Sequence, residues 1–383
     1  MSVTAARGFT AAGIAAGIKD SGSEDLALVV NDGPRCAAAG VFTSNRVQAA
    51  PVQWSRRVLA DGGIRAVVLN SGGANACTGA QGLKDTRATA ERAAGLLGLD
   101  PGDVAVCSTG LIGVPLPMDR LLPGVGSAVA RLSATGGEDA ARAVMTTDTV
   151  PKTAAVTRGG WTVGGMAKGA GMLAPGLATM LVVLTTDADL DSGALEKALR
   201  DATRVTFDRV DSDGCMSTND TVLLLASGAG RVTPGYPEFA EAVRTVCADL
   251  ARQLIGDAEG ASKEIRIEVT GAASEDDAVE VGRAIARSNL LKCAIHGEDP
   301  NWGRVLSAIG TTRAAFEPDR IDVAINGVPV CRGGGIGEDR ALVDMTGRDV
   351  AITVGLAAGT DSAVIWSNDL SADYVHENSE YAS

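Results

Sequence analysis

Ala178 and Thr179 lie where a glycine-rich stretch, residues 164–176, gives way to the apolar run Met-Leu-Val-Val-Leu. Glycine permits backbone dihedral angles that other residues resist, so such a loop can hold a strained geometry. There the Thr179 hydroxyl could attack the carbonyl of Ala178, and hydrolysis of the ester would leave Thr179 as a new N-terminus. That terminus would join a hydroxyl nucleophile to an α-amine base with a pKa near ~8. Composition alone favours the simpler interpretation, a loop that leads into a core strand.

The apolar and polar runs along the chain predict mixed α/β structure around this junction. Strands are predicted at 64–70, 104–108, 179–185, 221–226, 265–270, 321–325 and 350–354. Helical periodicity covers 85–97, 139–145, 192–206, 238–255 and 276–289. These elements do not alternate as regular βαβ units, and no Gly-x-Gly-x-x-Gly motif follows a strand and opens a helix. A dinucleotide-binding fold is therefore disfavoured.

Composition and charge argue against several classes of protein. The chain has 383 residues, enough for two domains or one large one, and aromatic residues make up only 3 % of it. Its net charge of −13 argues against nucleic-acid binding, which needs clustered Lys and Arg. No segment resembles an export signal or a membrane span. We therefore expect a cytoplasmic protein that binds neither nucleic acid nor membranes.

The cysteines and histidines indicate neither a metal site nor the catalytic triad of a Ser-His-Asp enzyme. The seven cysteines are scattered and never form Cys-x-x-Cys, which is typical of reduced thiols. The two histidines, His296 and His376, lie at no metal-ligand spacing, and no Gly-x-Ser-x-Gly elbow is present. We expect no bound metal.

The segment 168–181, Lys-Gly-Ala-Gly-Met-Leu-Ala-Pro-Gly-Leu-Ala-Thr-Met-Leu, resembles the self-cleavage segment of the ornithine acetyltransferase (glutamate N-acetyltransferase) family. The family's pattern is Lys-Gly-x-Gly-Met-x-x-Pro-x-x-Ala-Thr-Met-Leu. The resemblance implies autocatalytic cleavage between Ala178 and Thr179, which gives an α chain, 1–178, and a β chain, 179–383. Thr179 is then the N-terminal nucleophile. Further similar blocks extend nearly to both ends of the chain.

A second motif, Ser108-Thr109-Gly110, follows the predicted strand 104–108. A turn at a strand end presents backbone N–H groups and a hydroxyl, which are the donors that a developing oxyanion needs. Without the family resemblance it would be interpreted as an ordinary turn. By resemblance, the family's Thr-Gly pair forms the oxyanion hole, and this pair corresponds to Thr109 and Gly110.

The first substrate-binding residues are implied by resemblance only. Residues 145–152 match the family's Met-Thr-Thr-Asp-Thr-x-Pro-Lys, a region that supplies a substrate-binding threonine. We favour Thr153 for this role, with Thr147 and Thr149 as open alternatives. Lys168 corresponds to the substrate-contacting lysine that precedes the nucleophile. Its charge could bind a carboxylate or favour the neutral form of the new α-amine.

Two further regions complete the implied substrate site. Residues 256–263 resemble Asp-Gly-Glu-Gly-Ala-Thr-Lys, whose glutamate binds substrate, so Glu259 is a candidate partner for an ammonium group. The C-terminal tail resembles the family's Asn-x-x-Tyr-x-Ser/Thr ending, which implies substrate contacts for Asn378 and Ser383. The loop 213–220 departs from the family's pattern, and we assign it no catalytic role.

The resemblance also implies a fold and a reaction. The fold would be α/β, a layered α-β-β-α sandwich over residues 1–265 with a smaller C-terminal α/β domain over residues 266–383. The enzyme would move the acetyl group of N2-acetylornithine to glutamate through acetyl-Thr179, in a ping-pong cycle of arginine biosynthesis. It would need no cofactor, although some family members also accept acetyl-CoA and make N-acetylglutamate directly. The α and β chains would assemble as an α2β2 heterotetramer or a larger multiple.

Two other functions fit part of the same residues. An autoprocessed aminopeptidase or amidase of related fold would use water instead of glutamate as acceptor, and product analysis with and without glutamate separates the two. A non-catalytic ligand-binding relative would keep the fold without cleavage. The intact nucleophile, lysine, glutamate and asparagine of the implied site argue against that last interpretation.

Overall fold

A computed structural model describes residues 2–174 and 180–380 of the chain. The chain divides into two compact units, and each unit is built from two separate segments of the sequence. The first unit contains Met1–Asp208 and Cys215–Leu254, and the second contains Arg209–Gly214 and Ile255–Ser383.

The described residues of the first unit form nine strands and six helices. The strands are β1 (Phe9–Ile14), β2 (Leu26–Asn31), β3 (Ala37–Phe42), β4 (Ala66–Ser71), β5 (Val104–Thr109), β6 (Lys152–Arg158), β7 (Trp161–Lys168), β8 (Leu181–Thr186) and β9 (Thr221–Ala226). The helices are α1 (Ala50–Val58), α2 (Gly79–Leu97), α3 (Met118–Val129), α4 (Gly137–Ala143), α5 (Ser192–Val205) and α6 (Tyr236–Gly256).

These strands form two sheets that pack face to face. One sheet has the order β1-β2-β4-β5, and the other has the order β3-β9-β8-β7-β6. Val29 and Leu69 of the first sheet share one hydrophobic core with Val183 and Leu223 of the second. Every residue of β2, β4, β5, β8 and β9 is buried, which requires that protein covers both faces of each sheet.

Helices cover the two outer faces. Val68 in β4 belongs to one core with Ala90 in α2 and Leu121 in α3. In the other sheet, Gly165 in β7 makes room for α6, because a Cβ on this glycine would stand 3.1 Å from Leu250 Cδ1. Helix α5 packs against β3 and β9. The first unit is therefore an α-β-β-α sandwich, which confirms the predicted fold class.

The second unit is a smaller α/β layer. Its strands are β10 (Glu264–Ala272), β11 (Asp322–Ile325), β12 (Val328–Arg332), β13 (Gly335–Ile336), β14 (Asp349–Gly355) and β15 (Asp361–Asn368), and its helices are α7 (Glu275–Ala286), α8 (Asn289–His296), α9 (Trp302–Ile309) and α10 (Ala372–Glu380). The sheet order is β13-β12-β11-β14-β10-β15. Ile267 of β10 shares a core with Val281 of α7 and Ile352 of β14. The sequence-based boundary after residue 265 falls inside β10.

In the described ranges, no helix combines the length and the apolar character needed to cross a bilayer. All seven cysteines fall within these ranges, and all are free thiols. Burial raises the pKa of the Cys107 thiol to about 12, so this side chain stays protonated and packs as a small core residue.

Candidate active site

Strand β5 ends at Thr109, and the chain turns sharply at Gly110. The Gly73 N–H donates to the Thr109 carbonyl at 3.0 Å and closes the turn. Gly110 has a φ of 127°, and a Cβ on it would stand 2.5 Å from the Gly73 nitrogen, so glycine is required here. Thr109 is 2 % exposed. The predicted oxyanion pair therefore lies at a rigid strand end, where burial strengthens hydrogen bonds to a charge.

Asn219, two residues before the start of β9, holds this strand end in place. Its side-chain nitrogen donates to the carbonyl of Ala74 at 2.6 Å and to the carbonyl of Ser108 at 2.8 Å. Its oxygen accepts from the Thr218 hydroxyl at 2.6 Å. A single buried amide thus fixes the backbone on both sides of the turn. Asn219 belongs to the loop to which the sequence assigned no catalytic role.

Lys168, the last residue of β7, reaches the same strand end. Its Nζ lies 3.3 Å from Thr109 Oγ1, and Lys168 is as fully buried as the threonine. A lysine ammonium carries donors only, so the threonine oxygen accepts this hydrogen bond. The structure therefore brings two of the predicted site residues together at hydrogen-bond distance.

Asp148 is the counter-ion in this buried cluster. Its Oδ1 accepts from Lys152 Nζ at 2.6 Å and from the Gly169 N–H at 2.7 Å. Its Oδ2 accepts from the Thr146 N–H at 3.0 Å and lies 4.0 Å from Lys168 Nζ. Burial alone would raise the pKa of Asp148, but the charges of the two lysines and these hydrogen bonds lower it to about 2. Asp148 is therefore ionised at neutral pH.

Thr153 lies in β6 on the same face of the sheet as Lys168. It pairs directly with Met166 of β7, and residues opposite each other on neighbouring strands share a face, as do residues two apart on one strand. The side chain of Gln253 fixes the Thr153 backbone, since it accepts from the N–H at 3.1 Å and donates to the carbonyl at 3.0 Å. Thr149 is exposed, whereas Thr153 and Thr147 are partly buried.

The predicted cleavage junction, Ala178 and Thr179, lies outside the described residues. The described chain resumes at Met180, whose N–H donates to Asp220 Oδ1 at 3.1 Å. Asp220 is fully buried, and burial raises the pKa of its carboxyl well above the ordinary value. A carboxyl group is therefore bonded to the peptide nitrogen that follows Thr179 in the sequence.

In the second unit, Glu259 and Asn378 are bonded to each other. The Asn378 amide donates to Glu259 Oε2 at 2.8 Å and to the Tyr374 carbonyl at 3.0 Å within α10. Burial and the charges of Glu259 and Asp373 raise the pKa of Glu377, so carboxylates are crowded at this point. Such crowding favours a cationic ligand. The remaining predicted tail residue, Ser383, lies outside the described residues.

Two residues that precede α10 anchor the C-terminal tail (residues 369–380) to the Glu259 loop (residues 257–263). The Ser371 hydroxyl donates to the Gly260 carbonyl at 2.6 Å and accepts from the Tyr374 N–H at 3.0 Å, as a helix cap does. Asp369 Oδ1 accepts the backbone N–H groups of Ser262 and Lys263, at 2.9 and 2.8 Å. These hydrogen bonds fix the loop and the tail to each other within the second unit.

Asp369 also contacts the imidazole ring of His296. The Nδ1 atom of His296 lies 2.7 Å from Asp369 Oδ2. Because Asp369 also binds the backbone of Ser262 and Lys263, the contact gives this histidine a structural role. In the parts of the chain that the structure describes, no three His, Cys, Asp or Glu residues form a group that could hold a metal. That the protein needs no cofactor stays a prediction.

Comparison with known proteins identifies the family. A model of the ArgJ family matches residues 10–383. The chain belongs to the ArgJ family. The resemblance to ornithine acetyltransferases stated from the sequence is thereby confirmed.

Several relatives match the whole ArgJ-family chain. The Arginine biosynthesis bifunctional protein ArgJ of Streptomyces avermitilis is 76 % identical over 383 residues, which is 100 % of both chains. The protein of the same name from Thermobifida fusca is 64 % identical, again over 100 % of both chains. A chain in the crystal structure of ornithine acetyltransferase complexed with ornithine, from Mycobacterium tuberculosis, is 58 % identical with a TM-score of 0.45, over 47 % of this chain and 96 % of that chain.

Proposed function

We propose that this chain is a glutamate N-acetyltransferase that moves the acetyl group of N2-acetylornithine to glutamate in arginine biosynthesis. The observation that carries the proposal is the 76 % identity, over the full length of both chains, to an arginine biosynthesis bifunctional protein. The buried Lys168–Thr109 contact supports it, because it sets a hydroxyl donor and a positive charge at the strand end where an oxyanion would form.

The reaction begins with self-cleavage between Ala178 and Thr179. In the mature enzyme, the Thr179 hydroxyl attacks the acetyl carbonyl of N2-acetylornithine, and the α-amine of the same residue takes up the hydroxyl proton. The tetrahedral intermediate collapses, ornithine leaves with that proton, and an acetyl ester remains on Thr179. The amine of glutamate then attacks the ester in the second half of the cycle and regenerates the enzyme.

Thr109 and Gly110 stabilise the oxyanion in both halves of the cycle. The donors are the Thr109 hydroxyl and the backbone of the turn that Gly110 permits. Loss of one such donor costs about 10²–10³-fold in turnover in enzymes that use oxyanion holes. The turn is fixed by Asn219 and Gly73, so it is preorganised for this role.

The substrates are recognised by groups of opposite charge. Lys168 and Thr153 bind the polar backbone of the amino-acid substrates. The family resemblance supports substrate contacts for Glu259, Asn378 and Ser383 as well, with the carboxylate of Glu259 opposite an ammonium group. Crowding of carboxylates around Glu377 supports a cationic ligand there.

Several finer points of the proposal rest on the family resemblance. Both half-reactions are acyl transfers between amino acids, so the cycle needs no cofactor. The word bifunctional in the names of the relatives supports a second activity, with acetyl-CoA as acetyl donor. We further propose an α2β2 heterotetramer located in the cytoplasm, with neither nucleic acid nor membrane as partner.

The test is an assay of the purified protein with N2-acetylornithine, with and without glutamate. We expect ornithine and N-acetylglutamate in equal amounts when glutamate is present. Release of acetate at a rate independent of glutamate would instead support a hydrolase of the aminopeptidase or amidase type. Absence of both turnover and cleavage would support a ligand-binding protein.

A further inference from the structure

The direction of the hydrogen bond between Lys168 and Thr109 has a chemical consequence. The ammonium can only donate, so the Thr109 oxygen accepts, and the hydroxyl proton must point to another acceptor. A hydroxyl that accepts a hydrogen bond from a cation becomes a stronger donor, since hydrogen bonds polarise one another. The threonine is thereby set as a donor toward the position of the predicted oxyanion.

Lys168 keeps this position because Asp148 holds it. Asp148 and Lys168 are both buried, and Lys152 shares the same carboxylate. The carboxylate is itself fixed by two backbone N–H groups, those of Thr146 and Gly169, and the second belongs to the residue after Lys168. Asp148 thus constrains both the charge and the backbone of Lys168.

The charges of this cluster favour an anion at the strand end. One carboxylate faces two ammonium groups, Lys152 and Lys168, so the three side chains together carry one positive charge. Lys168 Nζ lies 3.3 Å from Thr109 Oγ1, whereas Lys152 Nζ lies 2.6 Å from Asp148 Oδ1. In a buried site such a charge is screened little, so its field at Thr109 is strong.

We propose that Asp148 is a positioning residue for the acetyl transfer, because it holds Lys168 against the Thr109 hydroxyl and so directs and strengthens that hydroxyl as an oxyanion donor. The proposal rests on the function proposed above. It adds a residue that acts through Lys168 and Thr109. A merely structural role for Asp148 would affect stability without a special dependence on the Thr109 hydroxyl.

A double-mutant cycle with Asp148→Asn and Thr109→Val separates these roles. Turnover is measured with N2-acetylornithine and glutamate and is expressed per cleaved chain, counted by intact mass. We expect Asp148→Asn alone to lower kcat about 10- to 100-fold with a smaller change in KM. Once Thr109→Val has removed the hydroxyl, Asp148→Asn should lower kcat by less than about threefold more, since coupled residues are not additive. Effects that simply multiply would overturn the proposal.

A second cycle keeps the proposal testable if Asp148→Asn does not fold. Lys168→Gln removes the group that Asp148 is proposed to hold, and Lys292→Gln is the control, because Lys292 is also a buried lysine but donates to the Ser212 carbonyl in the second unit. We expect Lys168→Gln to be coupled to Thr109→Val and Lys292→Gln to keep most of the wild-type kcat. Equal losses in both lysine variants, without coupling to Thr109, would overturn the proposal.

The unmodified protein distinguishes this inference from the proposed function. If the wild type does not transfer acetyl groups from N2-acetylornithine to glutamate, the proposed function fails and the role of Asp148 fails with it. If the wild type is active and the cycle shows no coupling, only the positioning role of Asp148 is lost.

Discussion

The backbone N–H of Met180 donates to the buried carboxyl of Asp220 at 3.1 Å. Asp220 and Asp148 are both shielded from water, yet their surroundings shift their pKa values in opposite directions. Two lysines face Asp148 and stabilise its charge, whereas burial dominates at Asp220 and favours the protonated form. One carboxyl thus serves as a fixed negative charge, and the other serves as a neutral hydrogen-bonding group.

Asp220→Asn should raise the thermal stability of the protein near neutral pH. The amide oxygen can still accept from the Met180 N–H. The variant has no carboxyl group at this position, so there is no charged form for burial to destabilise. Because the folded pKa of Asp220 lies above the unfolded one, its stabilising contribution is complete below the unfolded pKa of about 3.9 and is lost as the pH rises through the folded pKa. We expect a higher Tm for the variant at pH 7 and no difference below about pH 4. A lower Tm at pH 7 would contradict this account of Asp220.

Asp148 should make the protein sensitive to acid. Its folded pKa of about 2 lies below the unfolded value, so its contribution is present above about pH 4 and is lost as the pH falls toward 2. The shift corresponds to about 2 kcal/mol of unfolding free energy. We expect the Tm of the wild type to fall more steeply between pH 5 and pH 2 than the Tm of Asp148→Asn. Parallel profiles for the two proteins would show that Asp148 is not held as a charged group.

Gly260→Ala should release the C-terminal tail from the Glu259 loop. Gly260 has a φ of 60°, and a Cβ on it would stand 2.2 Å from the Tyr374 nitrogen. The backbone of α10 must move, and the contact between Asn378 and Glu259 is then lost. We expect a KM for N2-acetylornithine raised by about tenfold, the effect of losing a charged hydrogen bond.

The control for this variant is Gly256→Ala, since a Cβ at Gly256 meets nothing closer than 3.6 Å. We expect the control to keep the KM of the wild type. Limited proteolysis of the tail gives a second measurement, in which the Gly260→Ala variant alone should be cut faster. Equal KM values for both alanine variants would contradict a role of the tail in substrate binding.

Asn219→Asp should damage the oxyanion turn with little effect on substrate binding. The aspartate has no N–H to donate, so it would face the carbonyls of Ala74 and Ser108 with oxygen atoms. We expect a loss of about 2–4 kcal/mol in unfolding free energy and a kcat at least about tenfold lower, with KM nearly unchanged. The matched control is Asn31→Asp, because the buried Asn31 side chain also donates to two carbonyls, those of Arg35 and Ala226. A similar loss of kcat in both variants would indicate a general effect of instability.

The sequence predicted strands with apolar runs and the alternating strand β10, but it missed β2, although this strand is an apolar run as well. The predicted strand 221–226 agrees with β9 residue for residue, 104–108 lacks the last residue of β5, and 350–354 lacks one residue at each end of β14. Among the other missed strands, β1 and β3 consist largely of alanine, glycine and threonine, which carry little strand signal. Packing between the two sheets stabilises these strands, although their residues have a low intrinsic strand propensity.

Helix prediction shows the same dependence on local signal. The side chains of Asp191 and Ser274 cap the starts of α5 and α7, and the predicted starts, 192 and 276, fall within one residue of the observed ones. The predicted helix 276–289 corresponds to α7, which ends at Ala286. Its last predicted residue, Asn289, is the first residue of a separate helix, α8, which Ser288 caps.

The residues of the candidate site could likewise be predicted only in part from the sequence. Residue types and family motifs pointed to Thr109, Gly110 and Lys168, and the structure brings these three together. Asp148 stands inside a quoted motif, but only the fold shows that its carboxylate lies between two buried lysines. Asn219 could not be found from spacing, since the carbonyls that it holds belong to distant parts of the chain.

The most direct test of the central claim is the intact mass of the purified protein after incubation with N2-acetylornithine and no glutamate. We expect two chains, residues 1–178 and residues 179–383, with the mass of one acetyl group added to the second. Thr179→Ala, treated in the same way, should remain one uncleaved and unmodified chain. A wild-type protein that stays in one piece, or a cleaved protein whose second chain never gains the acetyl group, would contradict catalysis by an N-terminal threonine.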